Sequence, residues 1–319
     1  MKRESLKTLG GQKPSVFPVK NLGIIGLGIV GSRVAANLMK AGYPLTAFDI
    51  REEALEEACR RGAARASSPK AVGERSDAIL LSLPSPKEVK EALFGGEGAA
   101  YGLRRGCMAI NLSTIGPKAA IEIGEGLRAM GIKFVDAPVT APYMGYLAAE
   151  RGELTVTVGC EEGAFEEARE ILSRIGKVVV RVGPVGSGQA VKLANNLMAA
   201  INTLGLFEAA LWASKYGIDP KALEVLRFGT GDSWALRNRL PRLLERDFEP
   251  GFKTSLMHKD IGLFLEEAKG LNLFTPLAGL VYQLLQAAKA FGLGEEDWGS
   301  IIKVYEAING IKVGSPGRA

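Results

Sequence analysis

Three glycines with the spacing G-x-G-x-x-G lie between a short apolar run and a helical pattern near the start of the chain. The run Asn21-Leu-Gly-Ile-Ile-Gly26 ends at the first of these glycines, and the segment from Gly31 to Gly42 has the pattern of a helix. A second apolar run, Pro44 to Asp49, ends in an acidic residue. Strand, glycine turn, helix, strand and terminal acid together predict a βαβ unit that binds a dinucleotide.

Each residue of this unit has a physical role in the prediction. Gly26 and Gly28 allow a tight turn and close approach to a pyrophosphate, and Gly31 lets the helix pack on the strand. The helix N-terminus favours the phosphate charge. Asp49 can accept both ribose hydroxyls and would repel a 2′-phosphate, so NAD is the favoured cofactor; Arg51 leaves NADP as the alternative. The predicted cofactor contacts here are Gly26, Leu27, Gly28, Ile29, Val30, Gly31, Asp49, Ile50 and Arg51.

Short apolar runs alternate with helical segments as far as Val182 and then stop. The alternation predicts a doubly wound α/β sheet over residues 21–182, with ligand-binding loops after the carboxyl ends of its strands. Residues 183–319 show helical patterns only. We therefore predict a Rossmann-type N-terminal domain followed by an all-α domain, joined by a long helix over Gln189–Tyr216. Further strands are predicted at 78–83, 107–112, 132–135, 154–158 and 177–182, and further helices at 220–228, 234–246, 255–269, 276–292 and 298–308.

Composition narrows the functional classes. Charged residues make up 24% of the chain, and the net charge of +5 comes from interleaved acids and bases, so no nucleic-acid partner is expected. No apolar run approaches the roughly 20 residues that span a bilayer, which argues against a membrane protein. Three cysteines without a C-x-x-C pattern fit a cytoplasmic protein without a metal site. Residues 1–20 are basic and lack an apolar core, and we interpret them as a mobile extension.

Four motifs, in their order along the chain, resemble those of the β-hydroxyacid dehydrogenase family, whose best-known type is 3-hydroxyisobutyrate dehydrogenase. They are the glycine turn with its helix at 26–38, Asp136-Ala-Pro-Val-Thr140, the glycine-rich segment from Gly183 to Asn196, and Leu256-Met-His-Lys-Asp-Ile261. The resemblance covers nearly everything after residue 20. It implies an NAD(P)-dependent enzyme that acts on a small β-hydroxy acid and assembles as a homodimer or homotetramer.

The resemblance implies that Lys192 is the catalytic residue. Lys192 and Asn196 lie four residues apart on the predicted long helix and therefore share one face. Hydride transfer from an alcohol requires removal of the hydroxyl proton, and an enclosed lysine can have its pKa lowered towards neutrality. Asn196 can hold the same hydroxyl or orient Lys192.

The other site residues are carried over from the family by position. Thr140 takes the place of a serine that binds the substrate carboxylate. The family usually has two glycines next, whereas this chain has Ala141-Pro142-Tyr143, and Pro142 has no N–H to offer. Arg239, where many relatives carry a tyrosine, indicates a further change in the pocket. The implied substrate contacts are Thr140, Asn196, Ser233, Trp234 and Asp260, and the implied further cofactor contacts are Leu83, Pro84, Glu88, Thr114 and Lys259.

Several functions stay open at this point. The candidate substrates are 3-hydroxyisobutyrate, L-serine, 3-hydroxypropionate and, in the reverse direction, a short semialdehyde or glyoxylate. L-serine is a serious alternative because the loop after Thr140 departs from the family pattern. A nucleotide-binding module without catalysis and an imine reductase are disfavoured, since relatives of those kinds usually lack the lysine that Lys192 represents.

Overall fold

The computed structural model describes residues 19–314. The predicted extension over residues 1–20 lies outside the described residues, except for Val19 and Lys20. The backbone N–H groups of Lys20 and Asn21 both donate to Asp77, at 3.0 and 2.9 Å. The described chain therefore starts against the loop that precedes a central strand.

A six-stranded parallel sheet forms the centre of the first half of the chain. Its order is β3-β2-β1-β4-β5-β6, with every neighbouring pair parallel. The order reverses at β1, so the glycine turn that follows β1 lies at a switch point, where α/β sheets bind ligands. The predicted Rossmann-type architecture is confirmed. The strands are β1 (Leu22–Ile25), β2 (Leu45–Phe48), β3 (Ala64–Arg65), β4 (Ala78–Leu81), β5 (Met108–Asn111) and β6 (Lys133–Asp136).

Three further strands extend this sheet; two of them match the strands predicted at 154–158 and 177–182, whereas the short strand at 139–140 and the antiparallel pairing were not predicted. They are β7 (Val139–Thr140), β8 (Leu154–Gly159) and β9 (Gly176–Gly183). The ladder is interrupted at Ala137-Pro138, between β6 and β7, because proline has no N–H to donate to a strand ladder. The chain then reverses, so β8 pairs antiparallel with both β6 and β7 and parallel with β9.

Helices cover both faces of the sheet and enclose two separate apolar cores. The first core lies under α1 (Gly31–Lys40), α2 (Glu52–Arg60), α6 (Gly145–Glu150) and α7 (Glu162–Leu172). The second lies under α3 (Pro69–Glu74), α4 (Pro86–Phe94) and α5 (Pro117–Ala129). The central strands β1, β4 and β5 are buried on both sides, as expected for a doubly wound sheet.

The 30-residue helix α8 (Ser187–Tyr216) leads from the sheet into the helical part of the chain. It packs there around a third apolar core. Segments 220–228 and 298–301, predicted as parts of α-helices, are three-ten helices instead. The other helices of this part are α9 (Trp234–Leu244), α10 (Thr254–Gly270), α11 (Pro276–Ala290) and α12 (Ile302–Asn309).

By length and composition alone, α8 could cross a membrane. An 18-residue window within it has a mean hydropathy of 1.3, and half of that window is buried inside the protein. The expectation that no apolar run approaches this length was therefore wrong. A core helix of a globular domain passes the same test, and α8 contributes Leu204, Phe207 and Leu211 to the third core.

Candidate active site

The turn after β1 has the shape of a phosphate cradle. Gly26 has a φ of +96°, and a Cβ there would lie 2.3 Å from the carbonyl oxygen of Ser82. A Cβ on Gly31 would lie 2.0 Å from the carbonyl of Gly26, so neither position tolerates a side chain. A Cβ on Gly28 would meet nothing within 4 Å, which leaves open space against the backbone just before α1. These residues fit a dinucleotide pyrophosphate at a helix N-terminus.

Asp49, at the end of β2, is engaged by donors of the protein itself. It accepts from the backbone N–H groups of Leu27 (2.6 Å) and Arg51 (2.8 Å), and the Arg51 guanidinium pairs with both carboxylate oxygens. Burial alone would raise the pKa of Asp49, but these hydrogen bonds outweigh burial and hold it below its ordinary value. A ribose would compete with Arg51 for this carboxylate. Ile50, between the two, points into solvent with 91% of its surface exposed.

The loops after β4 and β5 lie side by side. The backbone N–H of Leu83 donates to the hydroxyl of Ser113 at 2.8 Å, and Thr114 follows at once. Glu88 has a structural partner: it accepts from the hydroxyl of Ser85, the N-cap of α4, whose oxygen accepts from Lys87 N–H at 3.2 Å. The Ser-x-x-Glu spacing is that of a capping box, although Glu88 here binds the Ser85 hydroxyl and not the Ser85 N–H; this contact gives Glu88 a structural role at the helix start.

Lys259, from α10, reaches across to both of these loops. Its ammonium donates to the carbonyl oxygens of Thr114 (2.7 Å) and Pro84 (2.9 Å). The same nitrogen lies 3.0 Å from Asp260 Oδ1. One helical-domain lysine therefore ties together two loops at the carboxyl edge of the sheet, next to the predicted cofactor cradle.

A continuous polar chain runs from Lys259 to the loop after β6. Asn196 donates to Asp260 Oδ2 at 2.6 Å. The amide of Asn195 donates to Asn196 Oδ1 at 3.0 Å and to the hydroxyl of Thr140 at 3.2 Å. Asp260 is buried, with 1% of its surface exposed, so it reaches a ligand only through Asn196 or Lys259. The predicted substrate contact at Asp260 is therefore better described as support behind the site.

Lys192 lies one turn before Asn196 on the same face of α8. Burial lowers the pKa of its ammonium to about 8; the negative charge of Asp260 opposes this shift, and the positive charge of Lys259 adds to it. Within residues 19–314, the Lys192 ammonium forms no hydrogen bond and no ion pair, and it interacts with Asp260 and Lys259 only through their charges. A half-buried amine that titrates near neutrality and is free to take a new partner can act as an acid or a base.

Two side chains that the sequence reasoning left without a role hold the start of α8. The carboxylate of Asp136, at the end of β6, accepts from the backbone N–H groups of Gly186 and Gln189, both at 2.9 Å. Burial raises the pKa of Asp136 to about 7 in spite of these donors. The fully buried Gln189 accepts from Ile115 and Gly116 N–H and donates to the Ser113 carbonyl. Together they fix α8 against the β5 loop.

Ser233 and Trp234 stand at the start of α9. Ser233 is its N-cap and accepts from Leu236 N–H at 3.1 Å, which is a structural role. The indole N–H of Trp234 donates to the carbonyl of Pro142 at 2.9 Å, across from the helical part to the loop after Thr140. Trp234 therefore reaches the predicted substrate loop.

Arg239, the position that indicated a further change in the pocket, lies on α9 in the helical part of the chain. It is buried and paired with Asp297, and its guanidinium lies 4.4 Å from the ring centre of Trp298 and 5.5 Å from that of Trp234. It supports Trp234 from behind. No group of three metal-binding side chains is found within residues 19–314.

A dinucleotide cradle, together with a lysine of lowered pKa on the helix that leads into the helical part, defines an NAD(P)-dependent oxidoreductase. The profile of the NAD binding domain of 6-phosphogluconate dehydrogenase matches residues 21–183, and that of the NAD-binding region of NADP-dependent 3-hydroxyisobutyrate dehydrogenase matches residues 186–305. The chain belongs to the β-hydroxyacid dehydrogenase family, as its four motifs predicted.

Three relatives show the extent of this similarity. The 2-(hydroxymethyl)glutarate dehydrogenase of Eubacterium barkeri is 35% identical over 92% of this chain and 97% of its own length. Human mitochondrial 3-hydroxyisobutyrate dehydrogenase is 36% identical over 91% of this chain and 88% of its own. A structure of Mycobacterium tuberculosis 3-hydroxyisobutyrate dehydrogenase with L-serine has a TM-score of 0.81 at 28% identity, covering 90% of this chain and 99% of that one.

Proposed function

We propose that this enzyme oxidises a 3-hydroxypropanoate with a small substituent on C2, with 3-hydroxyisobutyrate as the first candidate and L-serine as the second. The three compounds in the relatives' names share the skeleton HO–CH2–CH(R)–COO⁻, where R is methyl, ammonium or carboxyethyl. The observation that carries the proposal is Lys192, an amine with a pKa of about 8, one turn before Asn196 in the polar chain that leads to Thr140.

The roles of the residues follow from this arrangement. A bound nicotinamide supplies the hydride acceptor. Neutral Lys192 takes the hydroxyl proton as the alcohol carbon loses hydride, so the alcohol becomes an aldehyde and Lys192 an ammonium. In reduction, the ammonium returns the proton and stabilises the developing alkoxide. Asn196 orients the reacting oxygen, and the hydroxyl of Thr140, which accepts from Asn195, keeps its own proton free for the carboxylate.

A panel of hydroxy acids tests the proposed function. We expect reduction of the nicotinamide with 3-hydroxyisobutyrate, L-serine or both, and a weaker rate with 3-hydroxypropionate, whose C2 carries only hydrogen. Glyoxylate and a short semialdehyde test the reverse direction. An enzyme that turned over none of these acids with either NAD or NADP would contradict the proposal.

NAD is the proposed preferred cofactor, with NADP also used. Asp49 favours NAD through its charge, but Arg51 already neutralises that carboxylate and lies half exposed beside it. We expect Arg51→Ala to lower kcat/KM for NADP by roughly tenfold, because one charge-assisted hydrogen bond to the 2′-phosphate is lost. The kcat/KM for NAD, which has no 2′-phosphate, should change much less. Arg60→Ala, an exposed α2 arginine paired with Glu57, is the matched control. Equal losses with both cofactors would contradict this role for Arg51.

We also propose that the protein is a homo-oligomer whose contact uses the helical part. An exposed apolar strip runs from the end of α10 into α11; it comprises Leu271, Leu273, Phe274, Leu277 and Leu280, each more than half exposed. A second copy of the chain would cover such a strip. We expect light scattering to give a multiple of the 33.9 kDa chain mass, and Leu277→Asp to reduce it. A monomer at micromolar concentration would contradict the proposal.

A further inference from the structure

The loop after Thr140 is held from both parts of the protein. On its own side, the hydroxyl of Tyr143 donates to Glu153, just before β8, and Arg151 lies over the Tyr143 ring. From the helical side, the indole of Trp234 donates to the Pro142 carbonyl at 2.9 Å. This wall of the candidate substrate pocket therefore spans the two parts of the chain.

The helical side of this contact rests on a buried charged cluster. Arg239 lies between the rings of Trp234 and Trp298, and Asp297 pairs with it. Arg242 approaches the same carboxylate at 3.3 Å, and it lies 3.8 Å from the sulfur of Met144. The Trp234 ring thus has a fixed support, and the same cluster touches the loop at a second point.

We propose that the hydrogen bond from Trp234 to the Pro142 carbonyl is a latch that sets the width of the substrate pocket and thereby selects the substituent on C2 of the substrate. The inference rests on the proposed function. Pro142 brings no N–H to the substrate carboxylate but presents a carbonyl. Because the indole N–H of Trp234 donates to that carbonyl, the loop is held close to the helical part.

A narrow pocket favours small groups on C2. With the latch formed, hydrogen, methyl and ammonium are admitted, whereas the carboxyethyl group of 2-(hydroxymethyl)glutarate requires the loop to move outward. Trp234 acts through the position of the loop, so it is a positioning residue and not a catalytic residue. Its loss should change which acid is preferred.

The test compares Trp234→Phe, which keeps an aromatic ring over Arg239 but removes the donor, with Trp212→Phe, a matched change at an exposed position on α8. We expect the ratio of kcat/KM for 2-(hydroxymethyl)glutarate to that for 3-hydroxyisobutyrate to rise by about three- to tenfold in Trp234→Phe, as one neutral hydrogen bond allows. Trp234→His keeps a ring N–H and should restore part of the wild-type ratio.

A second readout is independent of turnover. Hydrogen–deuterium exchange of a peptide over residues 140–147 should be faster in Trp234→Phe than in the wild type or Trp212→Phe, with the other peptides unchanged. Unchanged exchange would overturn the latch, and faster exchange with an unchanged substrate ratio would overturn its role in selection. If the wild type turned over no hydroxy acid, the proposed function would fail, and the exchange comparison would still decide whether the latch exists.

Discussion

Lys192→Ala is expected to lower kcat by about 10²- to 10⁴-fold, the usual contribution of a positioned acid or base. The amine is the one group on this face of α8 whose pKa, at about 8, allows it to exchange a proton near neutral pH. The change leaves the glycine turn at 26–31 and Asp49 intact, so binding of the dinucleotide should change little. Initial rates with the best acid of the panel, together with cofactor titration by fluorescence, measure the two effects separately.

Lys215→Ala is the matched control, because Lys215 is an exposed lysine in the last turn of the same helix. It should retain wild-type rates. Small primary amines added to Lys192→Ala should restore part of the activity, since they can occupy the space of the missing side chain. Near-full activity of Lys192→Ala without an added amine would refute the proposed mechanism.

The architecture was predictable because its strongest signals are local. The glycine turn at 26–31, its helix and the two flanking strands lie within 30 residues, and each has a steric reason to hold its shape. The reversal at β7 and β8 was not predictable in the same way. It depends on an interruption at Pro138 and on two-residue pairing, which leave no periodic pattern in the sequence.

In the candidate site, too, local features were predictable from the sequence and contacts between distant residues were not. Lys192 and Asn196 could be placed on one face because a helix fixes residues four apart. The pairs that organise them join residues far apart in sequence: Asn196 and Asp260 are 64 positions apart, and Asn195 and Thr140 are 55. No local pattern encodes such pairs, so the family resemblance supplied Asp260, and Asn195 was missed.

Two residues carried over from the family have structural roles that the sequence could have indicated. Ser85 and Glu88 have the Ser-x-x-Glu spacing of a capping box, and Ser233 is a typical N-cap three residues before the N–H that it accepts. These patterns give Glu88 and Ser233 a structural reason for their positions that does not depend on a ligand. The glycines at the start of α8 indicated where the helix begins. They did not indicate that the carboxylate of Asp136, at the end of β6, accepts hydrogen bonds from the N-terminus of that helix.

Asp260→Asn is expected to shift the pH dependence of oxidation. In the wild type, the rate should rise as pH passes about 8, because Lys192 must lose its proton to act as the base. The carboxylate of Asp260 raises the pKa of Lys192 against the effect of burial, so its loss should move the midpoint to lower pH, by roughly one unit. For reduction, where the Lys192 ammonium is the acid, the rate falls as pH rises, and the midpoint of that fall should also move to lower pH.

The same change should lower the maximal rate by about tenfold or more. Asparagine can still accept from Asn196, but its amide would face the ammonium of Lys259, which lies 3.0 Å from the carboxylate and holds the loops at Pro84 and Thr114. Glu122→Gln, a carboxylate-to-amide change in an exposed pair with Lys90, is the control. A variant with a lower rate but an unshifted midpoint would show that Asp260 only supports the fold. A shifted midpoint would show that the negative charge of Asp260 sets the pKa of Lys192.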